Sequence, residues 1–295
     1  MDGTVRLFRI RGFDVRAHPL LLLLPAMAAI AGWREGATGV VARAVPLAIL
    51  LASLLLHEVS HALAARARGL PVLDVQLHLV GGVARIVRPL SRRDDPKDEW
   101  AVALAGPAAN LGLAAVLYGV RAALGSAEVP LDAKAIALDP LLTALAINAL
   151  MGSVNLLPVL PADGGRVLRA LLSYRMAPLA ATRVAVAVSG AAAVLLVAAA
   201  LWIMSLVVSS LLVLVAVLLV DVARREWRYA RMQRRYQVYR EIVAAHEGSL
   251  PLLRSLPRDE DGLPIPAGPA LDDPGVAEAL REFERRAGDG KPSRG

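Results

Sequence analysis

The chain has no cysteine, which excludes disulfides, thiolate zinc sites and cysteine nucleophiles. Aromatics are scarce, at 4%, and charged residues make up only 20% of the 295 positions. The charge is also unevenly spread, since residues 184–220 carry none at all. What fills the gaps is Ala, Leu and Val, which bring hydrophobic residues to 56% and the mean hydropathy to +0.53. Apolar residues in unbroken runs rather than in alternation exclude a water-soluble globule and indicate a lipid-facing chain. The net charge of +7 raises nucleic acid as a partner, but in a membrane chain the first question is where the positives sit.

A bilayer core of ~30 Å needs about 20 helical residues. Residues 19–33 are one candidate span, kinked by Pro25. Residues 44–65 carry one charge, Glu58, residues 100–124 only Arg121, and residues 141–160 none. The run 184–220 would be roughly 55 Å long as one helix, so it predicts two spans turning near residues 204–205. The expected fold is an all-α polytopic membrane protein of about six transmembrane helices, with a small membrane-associated β element and a partly disordered cytoplasmic tail. Its parts are a membrane core over 1–222, a basic juxtamembrane helix over 223–247 and a flexible tail over 248–295. An even span count puts both termini on one side. Twenty-nine of the 33 basic residues fall on that side, leaving Arg34, Arg43, Arg121 and Lys134 opposite. The positive-inside rule then predicts a multi-pass plasma-membrane protein with both termini cytoplasmic. No small-residue cleavage site follows the first apolar run, so it is read as retained.

A charge at mid-helix costs ~2.5–3.5 kcal/mol on insertion scales, so one found there is functional by default. The second span contains His57-Glu58-Val59-Ser60-His61. Helix positions i and i+4 share a face, so both imidazoles can reach one metal ion. Zinc takes such nitrogens and wants four ligands, one of them open to water in a catalytic site. Glu58 sits beside the pair, where a general base is needed.

A third ligand has to come from Asp74, His78, Glu99, Asp139 or Asp163. The second and fourth spans both run inwards, so the two histidines and Asp163 lie at similar depth on the cytoplasmic side. Asp139 is at the outer end of the fourth span and is too far by depth. Residues 155–165 read Asn-Leu-Leu-Pro-Val-Leu-Pro-Ala-Asp-Gly-Gly. The prolines forbid a continuous helix, and Asp-Gly-Gly suits a tight reversal. Irregular backbone at this depth is tolerated only where it is buried or lines a wet cavity, which favours Asp163.

These residues resemble the site-2 protease family of intramembrane zinc metalloproteases. His57–His61 resembles its H-E-x-x-H helix, and Asn155 through Gly164 its N-x-x-P-x-x-x-x-D-G segment. Ala105-Gly106-Pro107 followed by Asn110 resembles its A-G-P-x-x-N. Gly81-Gly82, His18-Pro19 and Ala181-Thr182-Arg183 are similar to further features of the six-span bacterial and archaeal branch. The resemblance covers about residues 5–226. It implies one zinc per chain held by His57, His61 and Asp163, with Glu58 as the catalytic base of a metalloendopeptidase that cuts membrane-bound substrates. Typical substrates of the family are membrane-bound transcriptional regulators. The motif further suggests Asn155, and Asn110 with it, as substrate-binding residues. Many relatives carry paired CBS domains after the membrane core, and the short tail of this sequence gives the expectation that such domains are not part of it.

Three other stretches carry lesser signals. Residues 72–80 alternate Asp74, Gln76 and His78 with apolar neighbours, which is the period of a strand. Such a strand edge can accept an unwound peptide by β-addition, and His78 then belongs on its polar face. Asn148 and Asn155 are seven apart and share a helix face, and Asn110 alternatively bonds a neighbouring helix. Residues 224–240 mix seven arginines with Trp and Tyr, a pattern for anchoring on anionic lipid headgroups rather than on nucleic acid. Residues 248–275 hold six prolines and read as disordered, with a short helix over 276–286. The rival readings are a catalytically silent relative that binds membrane segments, a gluzincin-type zinc peptidase using Glu99, and a transporter, for which no inverted repeat is visible.

Overall fold

The computed structural model describes residues 3–79, 81–88, 95–126, 128–130 and 139–203, with single positions further along. The basic N-terminal stretch forms a hairpin of β1 (Val5–Ile10) and β2 (Phe13–Ala17). Arg11 and Gly12 join them with φ of 42° and 90°. Two successive positive φ values make a turn whose twist matches the strands it connects. His18 and Pro19 then open a short 3-10 turn, in which His18 Nδ1 accepts the Leu20 N–H. It leads into α1 (Leu23–Gly32) and, past Gly36 at φ 70°, into α2 (Gly36–Ala67), which contains Pro46. Gly32 sits so close to the backbone of Gly39 and Val40 that a Cβ there would come within 2.5–2.6 Å.

After α2 come β3 (Val72–His78) and β4 (Gly81–Ile86). The sheet order is β1-β2-β3-β4, with β2 and β3 parallel and both outer pairs antiparallel. Phe13, Val15 and Val75 pack on Ala62 of α2, flanked by Leu55, Val59 and Leu63. Ala65, Leu70 and Val102 form an adjoining core that ties in α3 (Pro96–Ala123). Asp95 caps α3 by accepting the Lys97 N–H, and Pro96 follows at the first helical position, where no N–H is needed. Next are α4 (Pro140–Asn155), capped by Asp139, α5 (Asp163–Leu172) and α6 (Pro178–Ile203). The helical run Pro19–Ala67, Pro96–Ala123 and Pro178–Leu195 are long and apolar enough to cross a membrane, while α4 is a shorter apolar helix of 16 residues.

The fold differs from the sequence expectation in two places that matter. The N-terminal stretch, expected only as a source of positive charge, supplies half of the sheet. In β1 the apolar residues Val5, Leu7 and Phe8 are exposed, and only Phe13 and Val15 of the short β2 are buried, while the β2–β3 pairing joins residues about sixty apart. Asp163-Gly164-Gly165, expected as a reversal, instead starts α5. Its glycines serve close packing, since a Cβ at Gly164 would meet the Leu156 and Leu157 carbonyl oxygens at 2.2 and 2.3 Å. The expected turn at 204–205 and the Pro-rich stretch 248–275 lie outside the described residues. Of the expected helices over 223–247 and 276–286, single positions from Arg224 to Arg231, and Glu278 and Arg281, are described and helical.

Candidate metal centre

α2 presents His57 and His61 one turn apart, and both are buried. His61 Nδ1 lies 2.7 Å from the Val102 carbonyl oxygen, which can only accept, so that nitrogen carries the proton. His57 Nδ1 lies 2.6 Å from Asn110 Oδ1. The orientation of that amide is set by its other end, where Nδ2 donates to the Ser53 carbonyl at 3.2 Å and to Asn148 Oδ1 at 2.7 Å. His57 therefore also donates through Nδ1, and in both neutral rings the lone pair is on Nε2.

Those two Nε2 atoms are 3.1 Å apart and lie 3.0 and 3.1 Å from Asp163 Oδ2. Three lone-pair atoms at such separations, with no proton to share, repel one another unless a cation sits between them. Zinc with bonds of ~2.0–2.1 Å in tetrahedral geometry wants ligand atoms roughly 3.3 Å apart, so the set falls a few tenths short of that span. Two imidazoles and one carboxylate also match zinc in donor type. The space beside them is kept by α3, where a Cβ on Gly106 would lie 2.4 Å from His61 Nε2 and 2.7 Å from His57 Nε2. The residues present fit the ion.

Glu58 points to the adjoining strand. Its Oε2 accepts the Ala84 N–H at 3.1 Å, and Gly82 is so close that a Cβ would meet Glu58 Cγ at 2.3 Å. β4, an outer strand of the sheet, is thus laid against the carboxylate. Two glycines, one on α3 and one on β4, clear room on either side of the H-E-x-x-H turn.

A buried polar chain supports His57. Ser53 Oγ donates to the Ile49 carbonyl, Asn148 Nδ2 donates to Ser53 Oγ at 2.9 Å, and Asn148 Oδ1 receives Asn110. Asn110 is fully buried with its amide committed to His57, Ser53 and Asn148, so its position is behind the ligand rather than open to a substrate. Asn155 Nδ2 donates to the Met151 carbonyl of its own helix at 2.9 Å. Outer partners of metal ligands typically account for 10- to 100-fold in affinity. Asn110→Ala is therefore expected to weaken zinc binding by about 10- to 100-fold, read by chelator competition, with the helical content unchanged.

The other ligand candidates are engaged elsewhere. Arg85 bonds Asp74 through two nitrogens at 2.5 Å, with Arg16 at 4.0 Å, and the Arg85 guanidinium holds the Asp74 carboxyl below its ordinary range. His78 Nε2 is 3.3 Å from Gln76 Oε1, and its ring lies beside that of His18. Glu99 pairs with Arg169, and Asp139 with Arg121. Among the described residues, His57, His61 and Asp163 form the one group able to hold a metal. Sequence reasoning missed Ser53, although it lies four residues before His57 and so on the same helix face. It also missed Arg166, whose Nη1 bonds Asp163 Oδ1 at 3.0 Å.

Residues 45–131 match the family model of peptidase family M50. The Rip3 protein of Mycobacterium tuberculosis, named as a zinc metalloprotease, is 35% identical over 191 residues, which are 59% of this chain and 45% of that one. A zinc metalloprotease of Methanocaldococcus jannaschii is 29% identical over 188 residues, 63% of this chain and 50% of its own. The chain thus spans about half the length of the curated relatives it matches. Among solved structures, the site-2 protease from Methanocaldococcus jannaschii is similar with a TM-score of 0.50 and 26% identity. That match covers 76% of this chain and 95% of that one.

Proposed function

We propose, from the premise that this chain is a site-2 protease relative within peptidase family M50, that it is a zinc endopeptidase hydrolysing peptide bonds in or near transmembrane segments. The observation that carries the reading is the meeting of His57, His61 and Asp163 Oδ2 within 3.1 Å, with Glu58 on the same helical turn. Bound zinc would supply Lewis acidity, drawing the pKa of a water down to ~7 and polarising a carbonyl. Glu58 supplies the base. The Ala84 N–H holds Oε2, which leaves Oε1 to take a proton from water and return it to the leaving amide nitrogen.

A helical substrate hides its carbonyls in its own hydrogen bonds and has to unwind before attack. β4 offers the place for an unwound stretch. The Ala84 N–H points from its outer edge towards Glu58, and alternation directs Gly82 and Ile86 the same way. A peptide added along that edge runs past the base. Membrane-bound regulators of transcription are the substrate class this reading favours, with Asn155 at the end of α4 as a further contact.

The topology belongs to the same reading: about six spans, multi-pass in the plasma membrane, both termini cytoplasmic. The guanidiniums of Arg183 and Arg231 lie 5.3 and 6.0 Å from the Trp227 ring centroid. Arg183 is near the start of α6, so the chain returns to the end from which α6 departs, which supports two passes over 184–220. The arginines beyond Asp221 then face anionic headgroups.

Elemental analysis of detergent-purified protein tests the centre. The wild type is expected to hold about one zinc per chain, as catalytic sites of this ligand type do, and Asp163→Ala to lose most of it. A metal-free wild type overturns the reading, and full zinc in Asp163→Ala removes Asp163 from the ligand set.

A further inference from the structure

Asp163 is held from both sides. Its Oδ2 faces the two histidine nitrogens at 3.0 and 3.1 Å, and its Oδ1 receives Arg166 Nη1 at 3.0 Å. Arg166 is three residues further along α5, on the same face as Asp163. The next turn is fixed in turn, because Arg169 bonds Glu99 in the first turn of α3. Gly164 and Gly165 seat the start of α5 against the backbone of residues 156–160, and the Leu160 N–H donates to Ser189 Oγ on α6 at 2.8 Å. The carboxylate therefore has neither a free second oxygen nor a loose backbone.

We propose that Arg166 is a positioning residue for the metal centre, which engages Asp163 Oδ1 so that the carboxylate offers only Oδ2 and cannot swing round to bind through both oxygens. The inference rests on the reading of His57, His61 and Asp163 as a zinc site. A carboxylate with a free second oxygen readily becomes bidentate and fills the coordination position that water needs. A guanidinium on Oδ1 competes for that oxygen with a charge-assisted bond. It also offsets the charge of a carboxylate buried among apolar helices. The pairing is absent from the H-E-x-x-H logic, because it depends on the N-terminal turn of a helix that reads as a loop in sequence.

The test compares wild type, Arg166→Met, Arg166→Lys and, as a control, Arg169→Met, each purified in detergent. Zinc affinity is read by chelator competition, and coordination by the visible spectrum after cobalt substitution. Arg166→Met is expected to bind zinc about 10- to 100-fold more weakly. Its cobalt spectrum is expected to lose intensity, because five-coordinate cobalt absorbs more weakly than tetrahedral cobalt. Arg166→Lys retains a cationic donor and is expected to keep the wild-type band, with affinity between the two. Arg169→Met is expected to lower thermal stability without moving the band. A purely structural role for Arg166 would change stability and leave the spectrum alone. Wild-type zinc affinity and an unchanged cobalt band in Arg166→Met overturn this proposal alone. A wild type that holds no zinc overturns the zinc reading and this proposal together.

Discussion

Glu58→Gln is expected to lower hydrolysis by about 10²- to 10⁴-fold, the usual contribution of a positioned general base, while zinc content and helical structure stay as in the wild type. The amide keeps an oxygen that can accept the Ala84 N–H, so the β4 contact survives the change. What it cannot do is hold the proton that has to move from water to the leaving nitrogen. Cleavage of dye-labelled casein in detergent micelles, alongside zinc analysis, separates the two effects. A variant that still cleaves at the wild-type rate takes the base role from Glu58. A wild type with full zinc and no turnover on any unfolded probe favours the silent, segment-binding relative.

Gly106→Ala is expected to abolish both metal and activity, from a residue with no chemistry of its own. The added carbon would sit 2.4 Å from His61 Nε2 and 2.7 Å from His57 Nε2, where a carbon needs about a further ångström of room. Neither ring can yield, because His61 is tied to the Val102 carbonyl and His57 to Asn110. Metal sites tolerate only about ±0.2 Å in ligand distance, so the displaced nitrogens no longer meet Asp163 around one ion. Zinc per chain near zero, with a helical spectrum like the wild type, is the expected result. Retained zinc would mean that α3 moves away from α2 instead. Gly152 of α4 is packed closely on Leu111 and the Pro107 carbonyl of α3, so α3 could move only by disturbing that contact as well.

The pairing of His57 with His61, and the carboxylate beside it, were legible in sequence because the rule behind them is local. Four residues make just over one helical turn, so His57 and His61 must share a face wherever that helix goes. The lipid-facing character was equally plain, since charge-free runs of span length have few alternatives to a bilayer. Asp163 was readable at one remove, as the carboxylate of right depth beside prolines that a helix would reject.

Asn110 marks where that kind of reading stops. In sequence it is a polar residue in an apolar helix, equally suited to a substrate or to a neighbouring helix. Only the packing of α2, α3 and α4 puts its amide between His57, Ser53 and Asn148. The same holds for the sheet, in which β2 finds β3 across α1 and α2 and gives an exposed, arginine-rich stretch a structural place. Periodicity and composition thus determined the lipid-facing character and the shared face of the H-E-x-x-H turn. Tertiary structure alone decided which oxygen of Asp163 faces the histidines, which glycines make room for them and which strand lies over Glu58. These are contacts between segments tens of residues apart, set by close packing that no local pattern encodes.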